Sequence, residues 1–171
     1  FTQPPMPIKC AGAPQKAMYL SCDHWQKSGQ LEGMNVSFCN AGPVLFGCAT
    51  YVPPLMKYVE KYSINLDFGH NLTKIDGPSK KAWFSVKKEG ESAKNIERSF
   101  DMIHVCPPQR APDFIKNSPL ANEGGWVDVN AETLQHSKFS NIFSLGDVTS
   151  TSNAKTVAAA RKQAPIVAQN I

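Results

Sequence analysis

Residues 141–171, NIFSLGDVTSTSNAKTVAAARKQAPIVAQNI, decide what kind of fold this chain should have. An apolar strand (Ile142, Phe143, Leu145) runs into Gly146-Asp147, a polar loop follows to Asn153, and an alanine-rich helix closes the chain. A glycine at such a turn lets a ligand approach the backbone, and the carboxylate after it can bind a hydroxyl of a sugar-like group. The helix beyond the loop presents free N–H groups and the positive end of its dipole. Read as part of the first helical turn, Lys155 is a misplaced cation, costing about 0.3–1 kcal/mol. An electron-rich group bound there would relieve it. The competing reading is a plain strand–turn–helix connection capped by Asn153, with Lys155 on the surface. The residues of this stretch leave both open.

Working outward, Cys10-Ala-Gly-Ala-Pro14 is a small-residue turn in which Pro14 suits the first turn of a helix over 13–27, with Ala17, Leu20 and His24 on one face and a stop at Ser28-Gly29. Residues 34–39 (MNVSFC) form a strand candidate, preceded by a first strand at 6–9 or one that is poorly contributed. Leu55, Met56, Val59 and Tyr62 have helical spacing, and Pro53 and Pro54 are tolerable only in that helix's first turn. Two short strands flank Gly69-His70, and a turn at 76–78 leads to a returning strand over 82–87. A charged hairpin tip over 88–94 and a strand over 99–106 (SFDMIHVC) complete an antiparallel patch that Pro107-Pro108 ends. Residues 126–129 form a last short strand. A βαβ unit followed by such a patch is the plan of an α/β, doubly wound, Rossmann-like domain with a small antiparallel sheet inserted.

Composition narrows the function classes. Apolar residues make up 42% and charged residues 19%, an ordinary globular balance, and the net charge of +4 contains no run of five like charges. No nucleic-acid footprint is present. No apolar segment approaches the length of a membrane span. Cysteines at 10, 22, 39, 48 and 106 show neither C-x-x-C pairing nor histidines at finger spacing, which argues against zinc or any other metal site. Their odd number, with no secretory leader, suggests reduced thiols. The opening FTQPPMPIKC lacks an initiating methionine and reads as an extended connector, so a piece of a longer chain is expected.

A dinucleotide-binding βαβ unit carries G-x-G-x-x-G at its first turn and an acid about 20 residues later. Here the turn is Cys10-Ala-Gly-Ala-Pro-Gln-Lys16, with Gly12 alone in place, and the next strand ends at Cys39-Asn40 without a carboxylate. The plan fits while the NAD site is lost. In its place stands Cys10, just before a helix N-terminus and flanked by Lys9 and Lys16. Those surroundings favour the nucleophilic thiolate, which could attack a disulfide or trisulfide sulfur or hold sulfide as a persulfide. An inert buried cysteine is the alternative. The other four cysteines read as structural.

The wording of several stretches adds a resemblance. G-D-V-T-S-T-S-N-A-K-T-V-A-A-A-R-K-Q-A-P (146–165), P-I-K-C-A-G-A-P-Q-K-A-M-Y-L-S (7–21), G-W-V-D-V-N-A-E-T-L-Q-H (125–136) and H-V-C-P-P (104–108) resemble the sulfide:quinone oxidoreductase family of two-dinucleotide-domain flavoprotein reductases. The resemblance implies a central fragment with two parts. Residues 1–110 would be a degenerate NAD(P)-binding-like domain with its inserted sheet. Residues 111–171 would be the returning segment contributing half of an FAD site.

It also implies roles. Cys10 matches the redox cysteine that takes up incoming sulfur. Gly146 and Asp147 match FAD-contacting positions, Lys155 and Thr156 the helix start beside the flavin ring, and Pro107 and Pro108 the turn lining the flavin side of the pocket. Sulfide and a small sulfur acceptor would be the substrates, with electrons passing through FAD to a membrane quinone. The setting implied is peripheral to an energy-transducing membrane, bacterial or mitochondrial, with membrane contact through segments outside this sequence. A second redox cysteine and the glycine-rich FAD loop have no match in the 171 residues, so the fragment alone is expected to be inactive and free of flavin. Two alternatives stand beside this one: an NAD(P)H-dependent flavoprotein reductase, disfavoured by the broken glycine motif, and a catalytically silent interaction domain.

Overall fold

Two consecutive residues of one strand face opposite cores. Strand β2, Ser37–Asn40, sends Phe38 into a cluster with Met18, Cys22, Val59 and Tyr62, and Cys39 into another with Ala82 and Phe84. This is the period-two alternation of a strand buried on both faces. In the computed structural model, which describes residues 1–87 and 90–171, β2 lies between β1 (Thr2–Gln3) and β3 (Asn65–Phe68), both parallel to it. The crossovers carry helices α1 (Gly12–Lys27) and α2 (Val52–Lys61). Both helices feed the Phe38 cluster, and their Tyr19 and Tyr58 rings lie 5.9 Å apart, so both cover the same face. The Cys39 face is covered instead by an antiparallel sheet of β4 (His70–Asp76), β5 (Lys81–Val86) and β6 (Lys94–Ser99), in that order. The first unit, Phe1–Pro108, is therefore a mixed α/β stack of helices, parallel sheet and antiparallel sheet.

Three expectations need correction here. The buried side of α1 is Pro14, Gln15, Met18 and Cys22, with Leu20 63% exposed. Residues 14, 18 and 22 follow one another at helical i+4 spacing, a stripe that 17, 20 and 24 do not share. The first strand is Thr2–Gln3 rather than 6–9, because Pro4, Pro5 and Pro7 have no N–H to give a ladder. The third antiparallel strand is the charged segment 94–99 and not 99–106. β5 pairs from Val86↔Lys94 to Lys81↔Ser99 and then ends, so the apolar run that follows has no partner strand. That run turns back toward β1: the Thr2 N–H donates to the His104 carbonyl at 3.0 Å, and the Cys106 N–H to Thr2 Oγ1 at 3.2 Å. Of the expected hairpin tip, Lys88 and Glu89 lie outside the described residues, and Lys94 already belongs to β6.

The second unit, Gln109–Ile171, has a small core of Val127, Val129 and Leu134, with Leu120, Leu145 and Val167 packed around it. Its helices are α3 (Asp113–Lys116) and α4 (Val157–Asn170). The strands expected at 126–129 and 142–145 are reduced to single bridges, Val127↔Thr149, Val129↔His136 and Gln135↔Phe143. Side chains supply the missing order. His136 is buried, its Nε2 faces the Leu120 carbonyl at 3.0 Å, and its Nδ1 accepts from the Lys138 and Phe139 N–H groups at 3.0 and 3.3 Å. That network assigns the neutral, Nε2–H tautomer.

Candidate functional site

In the second unit the geometry centres on Gly146. Its φ of +77° lies in the left-handed region, and a Cβ there would meet Ala160 Cβ at 3.8 Å, so α4 passes close behind it. Residues Gly146–Val148 make one 3₁₀ turn, which leaves Asp147 exposed at its tip. The turn is braced from two sides. Gln163, the one buried residue of α4, accepts the Gly146 N–H through Oε1 at 2.8 Å and donates from Nε2 to Asn153 Oδ1 at 3.3 Å. Thr149 Oγ1 donates to the Gly146 carbonyl at 3.1 Å.

The loop ahead of α4 revises two readings. Thr156, not Asn153, is the N-cap: its Oγ1 accepts from the Ala159 N–H at 3.3 Å. Lys155 therefore precedes the helix and is no misplaced first-turn cation. Its ammonium donates to Thr149 Oγ1 at 3.3 Å, to Thr151 Oγ1 at 2.9 Å and to the Thr151 carbonyl, three oxygens of the loop itself. The N–H groups of Val157 and Ala158 still open the helix without a partner in the preceding turn, as helix geometry requires. Also, α4 runs unbroken through Pro165. An exposed carboxylate, a fixed ammonium and a helix N-terminus thus border one turn, a donor and acceptor set suited to a polyhydroxylated, electron-rich ligand.

In the first unit, Cys10 sits between the buried Ile8 and Pro14, half exposed, and its carbonyl accepts the Ala13 N–H at 3.1 Å. It stands two residues ahead of the 16-residue α1. Gln15, buried at the start of that helix, donates to the Leu45 carbonyl at 2.6 Å and so ties the helix start to the loop after β2. Of the remaining thiols, Cys22 and Cys39 are buried, Cys106 is half exposed and Cys48 exposed. Burial pushes the Cys22 and Cys39 thiols up, against neutral-pH reactivity. Pro107 and Pro108 are exposed and border a cavity of about 200 Å³ with Gln3, Leu72 and Cys106.

At the carboxyl ends of β1 and β2, where a dinucleotide ribose would be held, Asn40 is fully buried and faces inward. Its Oδ1 accepts from the Gly42 N–H at 2.8 Å and from Gln3 Nε2 at 3.3 Å, and its Nδ2 donates to the Val44 carbonyl at 2.9 Å. The side chain closes the loop over the strand end. Sequence reasoning missed Asn40, Gln15 and Gln163 as organisers. Only their amide type in otherwise apolar surroundings could have flagged them.

No family model matches the sequence. Among curated proteins, the chain is 40% identical over 168 residues to the mitochondrial sulfide:quinone oxidoreductase of Mus musculus, covering 98% of the chain and 37% of that protein. It is 41% identical over 172 residues to the Dictyostelium discoideum protein of the same name, covering 100% of the chain and again 37% of the relative. The chain thus spans a little over a third of the length of these relatives. Among solved structures, the sulfide:quinone oxidoreductase of Aquifex aeolicus superposes with a TM-score of 0.67 at 19% identity, over 87% of this chain and 34% of that one. A chain of the Tetrahymena thermophila mitochondrial ATP synthase superposes at 0.71 with 23% identity, over 98% of this chain and 40% of that one. The two superpositions speak for the fold. Along nearly its whole length the chain is 35–41% identical to curated proteins named sulfide:quinone oxidoreductase, and it matches 37% of each of them.

Proposed function

We propose that the protein carrying this chain is a flavin-dependent enzyme that oxidises sulfide at Cys10 and delivers the electrons to a membrane quinone. The observation that carries the reading is identity of 35–41% along the whole chain to proteins named for that activity. It is supported by the Gly146 turn, whose exposed Asp147, neighbouring Lys155 and open α4 N-terminus suit the ribityl and pyrimidine groups of FAD. FAD, when bound, supplies the two-electron acceptor between sulfide and quinone.

The residues divide the work. Cys10 holds sulfur. When sulfide adds to a disulfide containing Cys10, a new sulfur–sulfur bond forms, the old one breaks, and the second thiol leaves as a thiolate with the electron pair. The persulfide sulfur then passes to a small thiol or anion acceptor. With FAD bound, Asp147 would accept from one of its hydroxyls and the N–H groups of Val157 and Ala158 together with Lys155 would favour electron density at that end, while Thr156 keeps the helix start formed. Pro107 and Pro108, a rigid turn ending the first unit, are assigned to the flavin by the resemblance of 104–108 to that family. Residues 1–110 act as a dinucleotide-type domain that has exchanged its nucleotide for sulfur chemistry, and 111–171 as part of the flavin domain. The mitochondrial names of the relatives favour a peripheral site on the mitochondrial inner membrane. Among the described residues, no helix is long and apolar enough to cross a membrane.

The test is sulfide-dependent quinone reduction by the full-length protein, before and after Cys10→Ser. Loss of about two orders of magnitude or more in rate is expected for a removed nucleophile. Unchanged turnover would refute the role given to Cys10, and a colourless purified protein would refute the flavin.

A further inference from the structure

The Gly146 N–H, a donor that a bound cofactor would be expected to draw on, is already engaged. Gln163 Oε1 accepts it at 2.8 Å. The pairing spans 17 residues of chain, and Gln163 is only 9% exposed on a helix with no other buried side chain. The second end of the same amide reaches Asn153, on the far side of the loop, at 3.3 Å. From Gly146 the connection continues through its carbonyl to Thr149 Oγ1 at 3.1 Å, and from Thr149 Oγ1 to the Lys155 ammonium at 3.3 Å. One glutamine thus joins the turn that presents Asp147 to the helix whose N-terminus lies at the other edge of the loop.

We infer that Gln163 is a positioning residue for the flavin: it fixes the Gly146–Asp147 turn against α4, so that the Asp147 carboxylate, the Lys155 ammonium and the α4 N-terminus keep one relative geometry. The inference rests on the proposed flavin reading. It differs from a generic packing role because the side chain is an amide whose acceptor and donor ends address two different segments. An apolar residue of equal volume would fill the space and hold neither. It also changes the part given to Gly146, whose contribution is the left-handed turn and not a hydrogen bond to the ligand.

The test compares wild type, Gln163→Met and Gln163→Glu in the full-length protein, with FAD as the probe. Stripped of cofactor and titrated with FAD, the methionine variant should bind about tenfold more weakly, the cost of one well-placed hydrogen bond. The absorption band of its bound flavin should shift. Amide exchange at Gly146 should quicken in the methionine variant. The glutamate variant keeps an acceptor for the Gly146 N–H but sets a carboxylate oxygen against Asn153 Oδ1 in place of the Nε2 donor, so it should recover slow exchange at Gly146 and not the FAD affinity. FAD affinity and flavin spectrum in Gln163→Met indistinguishable from wild type would overturn the inference, as would Gly146 exchange that ignores the substitution. If the wild type takes up no FAD, the flavin reading itself fails, while exchange at Gly146 still reports whether Gln163 holds the turn. Should Gln163→Met not fold, the glutamate variant carries the comparison: slow exchange at Gly146 with weaker FAD binding is expected, and wild-type affinity would overturn the inference.

Discussion

Arg98 Nη1 lies 2.6 Å from Asp67 Oδ2, and this ion pair joins β6 of the antiparallel sheet to β3 of the parallel one. The same guanidinium faces His70 Nε2 at 3.2 Å and Cys39 Sγ at 3.7 Å, while His70 Nδ1 faces the Phe68 carbonyl at 2.8 Å. Both charged side chains are about one-third exposed or less, at 33% and 24%. The pair is thus a partly sheltered strut between the two sheets.

Its signature is acid sensitivity. The hydrogen bond from Arg98 holds the Asp67 carboxyl below its usual range. A depressed folded-state value means that the stabilisation is present above the unfolded value, about 3.9, and is lost as pH falls through the lower folded one. Urea unfolding of wild type and Asp67→Asn should therefore differ by about 1 kcal/mol near neutrality. The difference should close in strong acid. A gap that persists unchanged at low pH would mean the aspartate acts by packing alone.

Thiol accessibility ranks the cysteines. Under native conditions iodoacetamide should label Cys48 first, Cys10 and Cys106 more slowly, and Cys22 and Cys39 only on unfolding, read by peptide mass spectrometry. Burial acts twice on the last two, by excluding the reagent and by raising their thiols. Early labelling of Cys39 would contradict the packing of β2 against the antiparallel sheet.

Gly146→Ala tests backbone conformation separately from packing. The added methyl would meet Ala160 at an ordinary 3.8 Å, so the cost arises from the left-handed φ of +77°. A loss of about 1 kcal/mol in stability is expected from denaturant unfolding. No loss would mean that the turn can relax to a right-handed form.

His136→Phe should be more costly. The ring volume is retained, but the Lys138 and Phe139 N–H groups lose their acceptor and the Leu120 carbonyl its donor. Leaving such groups unsatisfied in a small core costs about 2–3 kcal/mol, which should appear as a lower urea midpoint with an unchanged slope. A neutral outcome would show that water reaches this core.

Local chemistry was legible in the sequence, and long-range pairing was not. The helix over 52–62 announced itself through Leu55, Met56, Val59 and Tyr62, and the strands around Gly69 through the turn between them. The strand expected over 99–106 failed because apolarity marks burial, whereas ladder membership depends on how far β5 extends. In the second unit, bridges and the His136 side chain replace ladders, so β-type sequence overstates strand content. Around the candidate site, the Gly146-Asp147 turn could be read locally. The Gln163 brace, 17 residues on, lies at a separation that no periodicity encodes. Lys155 was misread because the helix start was placed one turn too early, ahead of Thr156.

The inward-facing Asn40 makes a nucleotide site at this strand end hard to build. Supplying the absent acid by Asn40→Asp would set a carboxylate oxygen against the Val44 carbonyl in place of the Nδ2 donor, while the loop would still lie over the strand end. Nicotinamide dependence would require rebuilding the segment from Ala41 to Val44 along with the turn at Cys10. Architecture and not one missing charge stands in the way, so an engineer seeking a pyridine-nucleotide enzyme here would do better to graft a whole crossover than to edit a residue.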